Sequence, residues 1–319
     1  MNISMEERLE NKNVLITGGA GFIGSYLLDR LIEEANEIIV LDNLNTGKKE
    51  FIRKHFLNPK FKFYKIDLLN QKIDKYFKNV DEVWHIAANP DIRVAIQNTR
   101  TDLEQNTLVT YNVLEAMRKN KVEKIFFTSS STVYGDAEIL PTPEDYGKLI
   151  PISLYGASKL ASEALISAYC NSFEMKAVVF RLANIIGSRS NHGVIYDFVN
   201  KLRKTPDKLE ILGDGNQKKS YIHIEDCIEA MLIGTNNLNK NFDIFNIGSD
   251  SWISVKEIAK IICNYMKLNS KFEFTDGKRG WIGDVPLMLL DISKIKNLGF
   301  KLKYNTKQSI KKVLKEYVN

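Results

Sequence analysis

The stretch that most narrows the fold is Val14-Leu15-Ile16-Thr17, followed at once by Gly18-Gly19-Ala20-Gly21-Phe22-Ile23-Gly24-Ser25 and an amphipathic pattern to about Glu34. An apolar β-type run, a glycine turn and a helical pattern in direct succession make a strand–turn–helix unit. Gly19, Gly21 and Gly24 fit a Gly-x-Gly-x-x-Gly spacing; Gly18, Gly21 and Gly24 fit Gly-x-x-Gly-x-x-Gly. Without side chains at these positions the backbone can approach a pyrophosphate, whose charge is held by free amides at the helix N-terminus. Tight helix–strand packing would also use such glycines, so the context has to decide. The next run, Glu37 to Leu41, ends in Asp42-Asn43. An acidic residue about 20 positions on can accept both hydroxyls of an adenosine ribose and would repel a 2'-phosphate. The expected cofactor is therefore NAD, not NADP.

Further β-type runs recur at Phe61 to Ile66, Val83 to Ile86, Lys124 to Thr128 and Ala177 to Leu182, with helical patterns between them. This alternation predicts a Rossmann-type α/β fold, a doubly wound parallel sheet. Ligands bind at the C-terminal ends of such strands. The residues there are Asp67-Leu68, Ala87-Ala88-Asn89, Ser129-Ser130-Ser131 and Ala183-Asn184, small or hydrogen-bonding at every end. Residues 91–119, with Asn106, read as one long helix, and residues 154–173 as another. Spare apolar positions on these two helices suggest a homodimer. Beyond Arg181 the alternation breaks down, with helical patterns at Val194 to Lys204, Ser254 to Met266 and Thr306 to Tyr317 and a turn at Gly213-Asp214-Gly215-Asn216. The expected organisation is an NAD-binding domain over residues 1–182, with a returning segment near 220–250, and a smaller C-terminal α/β substrate lobe over 183–319.

Composition removes several classes of function. The net charge of +6 comes from lysines spread along all 319 residues among acidic neighbours, without the concentrated basic face that nucleic acid requires. Cys170, Cys227 and Cys263 stand far apart, so neither a disulfide framework nor a metal site is expected. Residues 1–11 are polar and acidic where a signal peptide needs an apolar run, and no later stretch is long enough to span a bilayer. These features predict a cytoplasmic chain without nucleic-acid or membrane partners.

Tyr155-Gly156-Ala157-Ser158-Lys159 carries the candidate chemistry. On a helix, i and i+4 share a face, so an ammonium lies beside a phenol. A phenol of pKa about 10 is a poor base at neutral pH, and a nearby positive charge favours phenolate.

Taken in order, Thr17 to Ser25, Asp42-Asn43-Leu44, His85-Ile86-Ala87-Ala88, Ser129 to Gly135, Tyr155-x-x-x-Lys159, Arg181 to Gly187, Tyr221 to Asp226 and Gly283-Asp284-Val285-Pro286 resemble the extended short-chain dehydrogenase/reductase superfamily, in its NAD-dependent epimerase/dehydratase branch. Within that branch the chain is most similar to the UDP-glucose 4-epimerases. The resemblance implies that Tyr155 is the base, that Lys159 binds the nicotinamide ribose and lowers the Tyr155 pKa, and that Ser130 hydrogen-bonds the reacting hydroxyl. It implies cofactor contacts at Gly18, Gly21, Phe22, Ile23, Gly24, Asp42, Asn43, Asp67, Leu68, Ala87, Ala88 and Asn106. Asn184, Lys219 and Arg279 fall where the family holds the substrate's diphosphate, with Lys219 in place of the usual arginine and Arg279 spaced more widely from Gly283-Asp284 than is common. Met288 matches a position near the sugar's C2 substituent. The implied activity is 4-epimerisation of a nucleotide sugar, a UDP-hexose, by transient C4 oxidation. The alternatives are epimerases of UDP-N-acetylhexosamines or UDP-uronates, a C6 decarboxylase, a 4,6-dehydratase, and a non-catalytic NAD sensor. The dehydratases place Asp-Glu directly after the serine-motif threonine, where this chain has Val133-Tyr134.

Overall fold

The structure is a computed structural model that describes residues 11–92, 94–236, 238 and 240–318. It divides into two compact units, one made of the chain up to Ser130 with Leu154–Arg181 and Ile228–Phe245, the other of Ser131–Ser153, Leu182–Cys227 and the chain from Asn246. Segment 131–153, which the sequence reading grouped with the cofactor domain, packs in the second unit.

The first unit is built on a seven-stranded sheet. Strands β1 (Asn13–Thr17), β2 (Glu37–Asp42), β3 (Phe61–Lys65), β4 (Glu82–His85), β5 (Lys124–Ser130) and β6 (Lys176–Leu182) are joined by Phe242–Ile247 at the far edge. From one edge the order is Phe242–Ile247, β6, β5, β4, β1, β2, β3, and the paired strands β1 to β5 run parallel. The order reverses at β1, which has β2 on one side and β4 on the other; the crevice beyond the carboxyl ends there is where such sheets bind ligands.

The strands β1, β2 and β6 are buried almost throughout, as expected where both sheet faces are covered, and so read as continuous apolar runs, whereas the edge strand β3 stays half exposed and mixes lysine with its aromatics. Alternate residues still divide between the faces. Leu15, Val83, Ile125, Phe127 and Val179 pack with Val113, Leu114 and Met117 of the Val109–Asn120 helix and with Ile166 and Cys170 of the Leu154–Ser172 helix. Trp84 and Phe126, on the intervening positions, meet with ring centres 4.6 Å apart.

The long helix expected over 91–119 is instead four pieces: Val94–Gln97, Arg100–Asp102, a π-helical stretch Leu103–Leu108, and Val109–Asn120. Wide π turns shift the register of every later side chain and recur at functional sites.

In the second unit, the helices Val194–Lys204, Val255–Met266 and Thr306–Val318 each turn one apolar stripe inward. Ile195, Phe198, Val199 and Leu202 on the first meet Ile258 and Ile262 on the second and Ile310, Val313 and Leu314 on the third. Ser254 caps the second helix in a reciprocal capping box with Glu257. Short strands complete the unit: Asn184–Ile186 beside Tyr221–His223, Lys208–Ile211 beside Lys271–Phe274, and Lys218–Lys219 between Ile253–Ser254 and Leu287–Met288.

Candidate active site

At the end of β1 the chain turns through Gly18, whose φ of +69° suits glycine, and enters the Phe22–Leu31 helix. A Cβ on Gly18 would lie 2.7 Å from the Ala87 nitrogen after β4, and one on Gly24 would lie 2.2 Å from the Gly18 carbonyl. The helix begins without a side-chain cap, so its first turn, with Phe22 and Ile23, leaves its amides for a ligand. Asp42, at the end of β2, is buried; its carboxylate accepts from the Ala20 and Leu44 amides at 2.9 and 2.8 Å. Burial raises its pKa, and those two amides oppose the rise. Each carboxylate oxygen keeps a lone pair for a further donor. This cradle fits a dinucleotide with an unmodified ribose.

The neighbouring strand ends line the same crevice. Asn43 caps the amide of Asn45 at 2.9 Å, Asp67 that of Leu69 at 2.9 Å, and Ala87 donates to the Thr17 hydroxyl at 3.3 Å. Leu68 turns its side chain into the core and offers its carbonyl to Asn112 at 2.9 Å, so it supports the floor. Ala88 follows Ala87 and is partly buried.

Tyr155 and Lys159 both lie on the Leu154–Ser172 helix, the Lys159 ammonium 5.9 Å from the Tyr155 ring centre. The Tyr155 hydroxyl shares a hydrogen bond with Ser130 at the end of β5. Lys159 is buried, donates to the Thr128 carbonyl at 2.9 Å and stands 4.8 Å from the Phe127 ring centre. Burial lowers its pKa to about 8 against the raising influence of the Asp102 and Glu163 carboxylates. The three serines divide their roles, since Ser129 donates to Glu163 while Ser130 meets Tyr155.

One expectation is corrected here. The sequence reading had Lys159 lowering the Tyr155 pKa, yet that pKa is raised, by burial first and by the Asp102 carboxylate second, with only the Ser130 hydrogen bond opposing. Taking a phenolate out of water is the dominant cause.

Asn106, buried in the π-helical stretch, accepts from the Asn89 amide at 2.9 Å and donates to the Ser158 hydroxyl at 2.8 Å. Sequence reasoning missed Asp102, which accepts from the Asn89 side chain at 2.9 Å and sits one turn before Asn106. The Asp102 to Asn106 spacing of four, two polar residues on one helix face, was the available signal. It also missed the buried pair of Glu163 with Arg181, closed at 2.7 Å.

The remaining site residues fall in the second unit. Asn184 donates to the Ser220 carbonyl at 3.0 Å. Lys219 is ion-paired with Asp284 and stands 4.8 Å from the Trp281 ring centre. Arg279 forks onto Asp136, at 2.6 and 3.2 Å. Met288, buried, pairs in register with Lys219. Lys219, Met288, Asp284 and Arg279 thus form one cluster. The three cysteines are free and buried, and no group of His, Cys, Asp or Glu able to hold a metal occurs among the described residues. No helix among them is long and apolar enough to cross a membrane.

Known proteins agree with this geometry. A putative UDP-glucose 4-epimerase of Methanocaldococcus jannaschii is 36% identical over 308 residues, covering 94% of this chain and 97% of that protein. UDP-glucuronic acid decarboxylase 4 of Arabidopsis thaliana is 31% identical over 315 residues, 95% of this chain and 68% of its own length. The crystal structure of a UDP-glucose 4-epimerase with UDP-glucose from Thermotoga maritima superposes with a TM-score of 0.85 at 28% identity, covering 96% of this chain and 98% of that one. The profile of the NAD dependent epimerase/dehydratase family matches residues 14–248. With that match over a dinucleotide cradle and a Tyr-Lys pair, the chain belongs to the NAD dependent epimerase/dehydratase family, whose cofactor is NAD.

Proposed function

We propose that this chain is a nucleotide-sugar 4-epimerase of the UDP-glucose/UDP-galactose type. The observation that carries the reading is the Ser130–Tyr155 hydrogen bond with the Lys159 ammonium on the same helix, at the strand ends beside the dinucleotide cradle. NAD bound in that cradle would supply the hydride-transfer chemistry for the sugar's C4. Tyr155 takes the proton from the 4-hydroxyl and gives it back, Ser130 holds that oxygen in line, and Lys159 supplies the positive charge that a phenolate needs. Gly18, Gly21, Phe22, Ile23, Gly24, Asp42, Asn43, Asp67, Ala87, Ala88 and Asn106 hold the cofactor. Asn184, Lys219 and Arg279 are the proposed anchor of the diphosphate. Lys219 and Arg279 keep donors in reserve beyond their carboxylate partners. Met288 borders the sugar.

A dehydratase needs an extra acid and base to expel the 6-hydroxyl. At the positions following Thr132 this chain buries Val133 and Tyr134, and the Tyr134 hydroxyl is committed to Asn246 at 2.7 Å. That arrangement favours epimerisation. Incubating the purified protein, with no added cofactor, with UDP-glucose, UDP-galactose, their N-acetyl forms and UDP-glucuronate, and following each sugar by proton NMR, tests the reading. Inversion at C4 supports it and names the sugar; a 4-keto-6-deoxy product or released carbon dioxide moves the assignment to dehydration or decarboxylation. Inertness even with added NAD and thymidine sugars leaves a non-catalytic NAD-binding protein.

A further inference from the structure

Two carboxylates act on the Lys159 ammonium, those of Asp102 and Glu163. Glu163 is committed elsewhere, gripped by Arg181 at 2.7 Å and by the Ser129 hydroxyl. Asp102 is not. It is 1% exposed, and its Oδ1 accepts from Asn89 at 2.9 Å and from Asn106 at 3.4 Å. Its Oδ2 is buried without any hydrogen-bond partner. A desolvated carboxylate oxygen left unpaired is unfavourable unless a nearby charge compensates it. The charged groups acting on it are Lys159 and, opposing, Asp91 from the segment after β4. His85, on β4, is held neutral by burial and so adds no charge of its own.

We propose that Asp102 is a positioning residue for the Tyr155–Lys159 pair, a buried counter-charge that keeps Lys159 an ammonium and, through Asn106 and Ser158, fixes the helix turn on which both side chains stand. The geometric link is continuous. Asn106 donates to both Asp102 and the Ser158 hydroxyl, and Ser158 donates in turn to the Tyr155 carbonyl at 2.8 Å. The π-helical stretch that begins at Leu103 directly follows Asp102 and carries Asn106. The proposal rests on the reading of Tyr155 and Lys159 as the reacting pair.

Its test reads the lysine directly. The Lys159 side-chain signal, in protein carrying carbon-13 at the lysine ε position, is assigned by its loss in Lys159→Met and titrated in the wild type and in Asp102→Asn. Loss of the counter-charge lowers the Lys159 midpoint by about one pH unit, and Asp102→Glu restores it. An unchanged midpoint in Asp102→Asn, or an Asp102→Glu protein that titrates like Asp102→Asn, overturns the proposal. Should Asp102→Asn not fold, Asp102→Ser is titrated in its place with the same two outcomes. In turnover, the alkaline limb of the Asp102→Asn pH profile moves to lower pH, which a merely structural defect would not cause. A lowered lysine midpoint in a chain that turns over no sugar sustains this inference and sinks the epimerase reading, so the two fail separately.

Discussion

At the scale of single residues, the proposed site pairs the buried Lys159 ammonium with the partly buried Tyr155 phenol. On the proposed reading, Tyr155→Phe removes the phenol that takes the 4-hydroxyl proton, and kcat should fall roughly 10²- to 10⁴-fold with cofactor affinity retained, as measured by turnover and by NAD titration. Lys159 loses its charge as pH rises through about 8. Activity should fall through that range, and Lys159→Arg, which stays charged, should lose the alkaline limb while remaining slower overall because a planar fork cannot reproduce a point donor. His85 supplies a stability prediction. Its ring lies between the Thr17 and Thr110 hydroxyls at 2.7 and 3.0 Å, and burial lowers its pKa to about 3. Between that value and the ordinary one near 6.5 only the unfolded chain binds the proton, so the stability present above pH 6.5 is lost as pH falls. From pH 7 to 4.5 the loss is about 2 to 3 kcal/mol. In urea melts at the two pH values, His85→Gln should shrink the difference by about that amount; an undiminished difference would place the acid sensitivity elsewhere.

At the scale of elements, the glycine turn shows how a backbone excludes side chains. An alanine methyl at Gly24 would meet the Gly18 carbonyl at 2.2 Å and the Gly19 Cα at 2.8 Å, both backbone and unable to swing aside. Gly24→Ala should cost about 1 to 3 kcal/mol and weaken NAD binding, whereas Gly147→Ala, with nothing within 4 Å of the new methyl, should leave both within error. Calorimetry of the two variants compares them directly. Strands and the glycine turn could be read from sequence because a strand buried on both faces has to be an apolar run, and the turn follows it directly. The Leu154–Ser172 helix and its Tyr-Lys pair were equally accessible, since i and i+4 are local. The π-helical stretch was not. Its extra residue per turn has no residue-type signature of its own, so residues 91–119 read as unbroken, and the register it sets between Asp102 and the side chains after it stayed hidden. Arg279 and Asp136 lie 143 positions apart, as Glu163 and Ser129 lie 34 apart, and only the folded chain shows which charges are committed. The direction of the Tyr155 shift was misread for the same reason, since burial has no local sequence signature.

For the whole molecule, the open question is how many copies act together. The first unit leaves Leu103, Leu108 and Tyr111 39–51% exposed along the π stretch and the helix after it, and Leu154 and Phe173 about as exposed at the two ends of the helix packed alongside. Scattered exposed apolar residues need no explanation, but Leu103, Leu108 and Tyr111 follow one another along a single helical run and make an apolar strip. We propose that a second copy of this chain covers it through a two-fold contact in which each helix pair meets its own equivalent. Arg118 lies 5.4 Å from the Phe173 ring centre while held by Glu115 at 2.9 Å, a salt-linked edge of the kind that rims an interface. Sedimentation equilibrium at micromolar concentrations should return twice the chain mass, and Leu108→Glu combined with Tyr111→Glu should return the chain mass with secondary structure unchanged. A wild-type chain that sediments as a monomer ends the dimer proposal. A double variant that stays dimeric moves the interface to another face.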